Sequence, residues 1–273
     1  MSDMLLRGYV TPEDFQGTDA ERIQQAFDLS HELDIGRVVL KGNYTLEKTV
    51  FMHGMTDLVL EGATLSCAGD FPLLTNTNYA EAERHSWSFQ DRFLTIRGNG
   101  RLLGDVLIYN ANHVNIDGIS FEGALRFSFT SEVRLYNSSF SGKDGVIITM
   151  GSNNFIMQDL IADCKNSAIV MDAAYDGYDY VIGKEPEIHE IILQDSKFNA
   201  SAPAVTLNAS SDAKIYNMQF DHLVSKGVTL EIGKKGENLP EECYFNLTGE
   251  YFTSDAKESI VINNAVKHCY FPD

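Results

Sequence analysis

Two stretches of the chain, KDGVIITM at 143–150 and KNSAIVMD at 165–172, run side by side 22 residues apart, and Asp144 in the first falls opposite Asn166 in the second. A carboxylate can take up or release a proton near neutral pH, whereas a side-chain amide keeps its protons and only hydrogen-bonds. Asp144 is therefore a candidate for acid–base work and Asn166 for binding alone. Glu122, in FEGA, precedes the apolar run RFSFT at 126–130 much as Asp144 precedes VIIT at 146–149. If those runs lie on neighbouring turns of chain, about 4.8 Å apart, the two carboxylates share one site. The competing reading is that both are corner residues bonding local backbone amides. Lys143 and Lys165 occupy one column, placed either to meet an acidic ligand or Asp144, or simply to be solvated.

These residues need an architecture that makes amino acids about 20 apart into neighbours, and the sequence repeat supplies one. Eight units share an apolar–any–apolar start and a turn residue: LVLEGATL from Leu58, LTIRGNGRL from Leu94, VNIDGISF from Val114, VRLYNSSF from Val133, FIMQDLIA from Phe155, IILQDSKF from Ile191, AKIYNMQF from Ala213 and FNLTGEYF from Phe245. Their fifth places read Gly62, Gly98, Gly118, Asn137, Asp159, Asp195, Asn217 and Gly249, all residue types that accept positive φ. Second short strands lie between them at 106–109, 126–130, 146–149, 168–171, 204–207, 228–232 and 260–263. Short strands with one repeated left-handed corner predict an all-β parallel solenoid in a single domain over 1–273. A β-sandwich would use hairpins and has no reason to repeat that corner.

A solenoid end is an open edge that needs a cover. Thr18 followed by Glu21 is a capping box that opens a helix within 18–35, with Ile23, Ala26, Phe27 and Leu33 on one face and Gly36 at its close. The tail VKHCYFPD, or another subunit, is left to cover the far end. Insertions are expected at 66–92, 172–190 and 232–243. The first carries His85 and the only tryptophan, Trp87; the second interleaves Tyr175, Tyr178 and Tyr180 with Asp172, Asp176 and Asp179. Aromatic faces beside hydroxyl-binding acids suit sugar rings, though tyrosines also pack loops onto a scaffold. The three aspartates lack the spacing of an EF-hand and read as a solvated acidic loop, so no metal and no cofactor is expected.

A net charge of −18 repels nucleic acid and anionic membranes and makes neutral partners easier. The chain as given shows no secretion leader and no apolar run near the roughly 20 residues that span a bilayer, which reads as soluble. Cys67, Cys164, Cys243 and Cys269 are far apart and read as buried thiols. Signatures of serine hydrolases, zinc proteases, P-loops and dinucleotide folds are absent.

The entry VTPEDFQGTDAERIQQAFDLS, then GRVVLKGNYTLEKTVFMHGMTDLVLEGATL, ANHVNIDGISFEG, SGKDGVIITMGSNN and IILQDSKF, resembles the pectate-lyase-like right-handed parallel β-helix superfamily. Within it the likeness is closest to glycoside hydrolase family 28, the polygalacturonases. The resemblance implies a single-stranded right-handed parallel β-helix with an N-terminal capping α-helix, and an inverting glycosidase mechanism on a polysaccharide or oligosaccharide. In that family's pattern Asp144 matches the first catalytic aspartate, but Asn166 and Ser167 stand where an adjacent aspartate pair belongs. No His-Gly follows, since His189 lies in a strand-like EIHEII; the arginine's place reads APAV, with Lys226 one coil later. Asp172, six residues beyond Asn166, lies about 20 Å along a strand and cannot replace the pair. The residues thus point to Asp144 and Glu122 as the surviving carboxylates. Lys143, Lys165, Asn166, Asp172, Tyr175, Tyr178, Trp87, His85 and Lys226 are candidate contacts to a glycan. The alternative is a non-catalytic glycan-binding β-helix, such as an adhesin or a phage-tail receptor-binding protein; the VTPEDF opening resembles those of phage-tail β-helices.

Overall fold

The computed structural model describes residues 6–77, 90–173, 187–200, 202–208, 215–233, 244–250, 253–263 and 267–269. Trp87, His85, Tyr175 and Tyr178 lie outside them. The chain winds through three sheets in rotation, and every strand pair is parallel, joining one coil to the next. The first sheet has ten strands, from Arg37–Leu40 to Lys267–Cys269; the second has nine, from Asn43–Leu46 to Thr253–Ser254; the third has nine, from Val50–Met52 to Ile260–Ile262. This is a right-handed parallel β-helix, the hand that twisted strands impose on parallel crossovers.

Alternation along each strand fills the interior with stacked columns. In the first sheet Val114, Val133, Phe155, Ile191 and Met218 are in register, as are Ile116, Leu135, Met157, Leu193 and Phe220. In the third, Val106, Leu125, Val146, Ile169, Val205 and Leu230 follow one another. All of these side chains are buried. Phe121 and Phe140, neighbours in the second sheet, stack with centroids 5.0 Å apart. Because each coil buries its apolar residues mainly against the coils above and below, position along the axis decides which residues meet.

The helix α1, Asp19–Glu32, closes the first coil. Thr18 accepts from the Glu21 amide and the Glu21 side chain returns to the Thr18 backbone, the reciprocal cap expected from the sequence. Ala20, Ile23, Ala26, Phe27 and Ser30 are buried, and the helix packs on the first strands of all three sheets. Leu33 caps its C-terminus half-buried. At the far end, Lys267–Cys269 of the tail adds the tenth strand to the first sheet.

The left-handed corner between first and second sheets is present at Gly62, Gly98, Gly118, Asn137, Asp159 and Asp195, with φ between 49° and 125°. Two units were misread. Ile191 pairs with Met218, so the seventh unit begins five residues later than AKIYNMQF and its corner is His222, φ 49°. Gly249 pairs with Phe220 inside a strand and makes no corner. Insertions change coil length, and only strand register shows where a repeat resumes.

A second left-handed column, near the start of the first-sheet strands, went unseen in the sequence: Met55, just before its strand, and Phe93, His113, Glu132, Asn154, Glu190 and Asn217 within theirs, with φ from 55° to 65°. None of these is glycine. At the first corner a Cβ on Gly118 would lie 2.3 Å from the Gly98 carbonyl oxygen, so the residue type is constrained. At the second corner Met55 and Phe93 are 63% and 50% exposed, so side chains escape outward and composition carries no signal.

Candidate functional site

The turn between second and third sheets positions the predicted carboxylates. Gly104, Gly123, Gly142 and Gly145 sit there, and at Gly123 and Gly145 the coils pass too closely for a side chain. A Cβ on Gly123 would meet the Gly104 carbonyl carbon at 2.3 Å, and one on Gly145 the Ala168 oxygen at 2.3 Å. Beside these glycines the chain enters the third sheet and opens a groove of about 450 Å³, lined by Pro72, Asp105, Val106, Leu107, Glu122, Gly123, Ala124, Arg126, Lys143, Asp144 and Ile147. Glu122, Asp144 and Lys143 are thus gathered in one place, as their columns implied.

Asp144 and Asn166 are neighbours. The Asn166 amide nitrogen donates to the Lys143 carbonyl at 2.7 Å, and its side chain donates to Asp144 Oδ2 at 3.4 Å. The alignment of the two stretches needs one correction: Val146 pairs with Ile169, not Ala168, and Thr149 with Asp172. The second coil carries one extra residue before its strand. Ser167, at the other place of the absent aspartate pair, is 7% exposed. Glu122 is held by an ion pair with Arg101 on the preceding coil. Lys165 is exposed and joined through its amide to Gly142 O, one coil beyond the groove's lining.

Other candidates lie elsewhere. Asp172 ends its strand and accepts from Asn208 Nδ2 at 3.3 Å, at the opposite end of the third-sheet strands from Asp144. Lys226 is exposed in the turn after Val224–Ser225, three coils from Lys143, about 14 Å along the axis. His189 is inside the strand Ile188–Gln194, as read from the sequence.

Asp105 and Arg126 were missed. Asp105 directly precedes Val106, the strand entry, and Oδ1 accepts the Ala124 amide at 2.8 Å. The GDV at 104–106 is a weaker copy of KDGV and was the available signal. Arg126 points outward from Leu125–Ser128, a place that alternation within the strand assigns to solvent. Burial pushes the Cys164 thiol upward and the nearby Asp144 and Asp163 charges add to it, so this cysteine stays a protonated, inert neighbour. Among the described residues no cluster of His, Cys, Asp or Glu is arranged to hold a metal ion, and no helix is long and apolar enough to cross a membrane.

No family profile matches the chain, and no curated protein matches it either. Solved structures do. The Acinetobacter baumannii phage AM24 tailspike protein is similar at TM-score 0.58 and 11% identity, over 97% of this chain and 56% of that one. The Streptococcus pneumoniae surface protein and adhesin PfbA is similar at TM-score 0.52 and 12% identity, over 96% and 99%. An exopolygalacturonase from Thermotoga maritima is similar at TM-score 0.51 and 11% identity, over 96% and 91%. At such identities the likeness shows the fold alone, a right-handed parallel β-helix.

Proposed function

We propose that the protein is a carbohydrate-active β-helix, a divergent polygalacturonase-like glycoside hydrolase whose site is the groove at the entry to the third sheet. The observation that carries this reading is one carboxylate from each of three successive coils in that groove: Asp105, Glu122 and Asp144, with Arg126 and Lys143 beside them. Two carboxylates on opposite sides of a glycosidic bond are the minimal equipment for hydrolysis, and the inverting route separates them by about 6.5–9.5 Å to admit water. Glu122 and Asp144 come from neighbouring coils, about 4.8 Å apart along the axis, and Asp105 from the coil before Glu122, so a sugar lying across the coils meets carboxylates from more than one of them. Lys143 and Arg126 orient hydroxyls or a sugar carboxylate; Asn166 positions Asp144 without exchanging protons. That one similar structure is an exopolygalacturonase supports a sugar substrate.

A second reading, a non-catalytic glycan binder, is favoured by a specific observation: Asn166 and Ser167 stand where an acid pair would, and Glu122 is already committed to Arg101. The adhesin and tailspike among the similar structures support it. Incubation with a panel of polysaccharides, polygalacturonate included, separates the two. Hydrolysis releases reducing ends, and Asp144→Asn lowers the rate by about 10²–10⁴-fold with the fold intact. Oligosaccharide binding by calorimetry with no reducing ends after days establishes the binder and removes the hydrolase; unchanged rates in Asp144→Asn remove this site.

A further inference from the structure

A second concavity of comparable size lies elsewhere on the coil. On the outer face of the first sheet, across the strands Ser152–Gln158, Ile188–Gln194 and Ile215–Asp221, lies a concavity of about 550 Å³ lined by Asn154, Ile156, Glu190, Ile192, Asn217 and Gln219 above the inward-facing Phe155 and Met218. Ile156 and Ile192 are in register on adjacent coils and form an apolar floor on a face that otherwise points to solvent. Gln219 continues their row. Asn154, Glu190 and Asn217 form the rim, one per coil, each at positive φ, which turns three polar side chains along one edge of the floor. The Asn154 and Asn217 side-chain amides make no hydrogen bond among the described residues. On the strand-entry side, His189 and Tyr216 stack at 4.8 Å, and Tyr216 donates to Glu187 Oε2 at 2.8 Å, which fixes that border.

We infer that this face is a second glycan-binding surface, separate from the carboxylate groove and selective for uncharged linear oligosaccharides. Sugar rings present apolar C–H faces and hydroxyl edges; an aliphatic floor flanked by amides matches both, because an amide donates and accepts from one side chain. Charge selects among sugars. The lining carries a single charge, the carboxylate of Glu190, in a molecule of net charge −18, so an acidic glycan is repelled here. The carboxylate groove differs in having Arg126 and Lys143. The rim also repeats at the coil spacing, about 4.8 Å, an interval similar to that at which a linear glycan repeats its rings, so successive rings meet equivalent side chains. The inference rests on the carbohydrate reading but not on catalysis at Asp144.

The test uses the full chain against an array of neutral linear pentasaccharides (gluco-, xylo-, manno- and galacto-series) and the galacturonate pentamer, followed by calorimetry on whichever is retained. Ile192→Lys, which charges the floor from an outward position, is expected to weaken neutral-glycan binding at least tenfold. Asn217→Gly removes one rim amide while relieving positive φ, so the fold is kept, and is expected to weaken it at least threefold. Asp144→Asn leaves it unchanged. Retention of no neutral pentasaccharide, or binding indifferent to both Ile192→Lys and Asn217→Gly, overturns the inference. So does concentration-dependent self-association abolished by Ile192→Lys, which would assign the face to a second copy of the chain. Loss of neutral-glycan binding in Asp144→Asn merges the two sites and also overturns it, whereas absence of hydrolysis touches only the catalytic reading.

Discussion

Replacing Gly118 by alanine tests coil stacking directly, because Gly62 provides a matched control. Both glycines make the left-handed corner, at φ 76° and 70°. An alanine in that conformation costs about 1–2 kcal/mol, partly offset by about 0.5–1 kcal/mol as the unfolded chain loses freedom. Gly62→Ala, with nothing within 4 Å of the added Cβ, should therefore cost about 1 kcal/mol. At Gly118 the Cβ would sit 2.3 Å from the Gly98 carbonyl oxygen, in backbone that cannot swing aside as a side chain can. Overpacking of this kind adds about 1–3 kcal/mol, for a total of about 2–4 kcal/mol, a large share of the 5–15 kcal/mol typical of a folded domain. Urea unfolding followed by circular dichroism, with equal slopes in the two variants, reads the difference as a shift in midpoint. If Gly118→Ala and Gly62→Ala shift the midpoint equally, the corner residues are not in contact from coil to coil, and the neighbour relations that assemble both grooves are wrong.

Three further outcomes are expected. Burial alone would raise the Asp57 carboxyl, but hydrogen bonds and charge from Arg97 and Arg37, the former at 2.8 and 2.9 Å, outweigh it and hold Asp57 below the usual carboxylate range. A depressed carboxyl contributes stability that is present above its unfolded value and lost as pH falls through the folded one, so Asp57→Asn should flatten the acid side of a denaturation midpoint–pH curve below about pH 4, and an unchanged acid limb refutes the pairing. Tyr216 is pushed up to about 12, first by burial and then by its hydrogen bond to Glu187. A raised phenol contributes stability that is complete below its unfolded value near 10 and lost as pH rises toward 12, so Tyr216→Phe should narrow the alkaline loss, and an ultraviolet titration of the variant should lack one late-ionising phenol. Thr18→Ala should lower stability by about 1 kcal/mol through loss of the α1 cap, read from the same urea midpoints; no change would mean that the lid does not depend on it.

The catalytic part of the reading turns on individual side chains whose neighbours belong to other coils. KDGV and KNSA were legible as adjacent turns because both keep the apolar alternation of a strand after a turn, and Asp144 does meet Asn166. The slip that sets Val146 against Ile169 was not legible, since one residue added in a turn leaves no mark on the hydrophobic pattern. Arg126 was invisible for a related reason: an outward residue on a strand looks the same in sequence whether it faces bulk water or a groove. The aromatic loops holding Trp87, His85, Tyr175 and Tyr178 remain a sequence-based expectation for glycan contact.

Sequence by itself determined the coil. Alternation fixes which side chains enter the core, Gly, Asn and Asp mark a corner whose backbone only they adopt cheaply, and the Thr18–Glu21 box starts the helix that covers the first turn. These are local constraints, satisfied within a few residues. Tertiary structure alone decided which coils meet in register, where the second, unmarked left-handed column lies, and that Asp105 and Arg126 join Glu122 and Asp144 in one groove while Ile156 and Ile192 share another. Those contacts join residues about 20 or more apart, and variable turn length accumulates between them, so only the hydrogen-bond ladders from coil to coil settle the alignment.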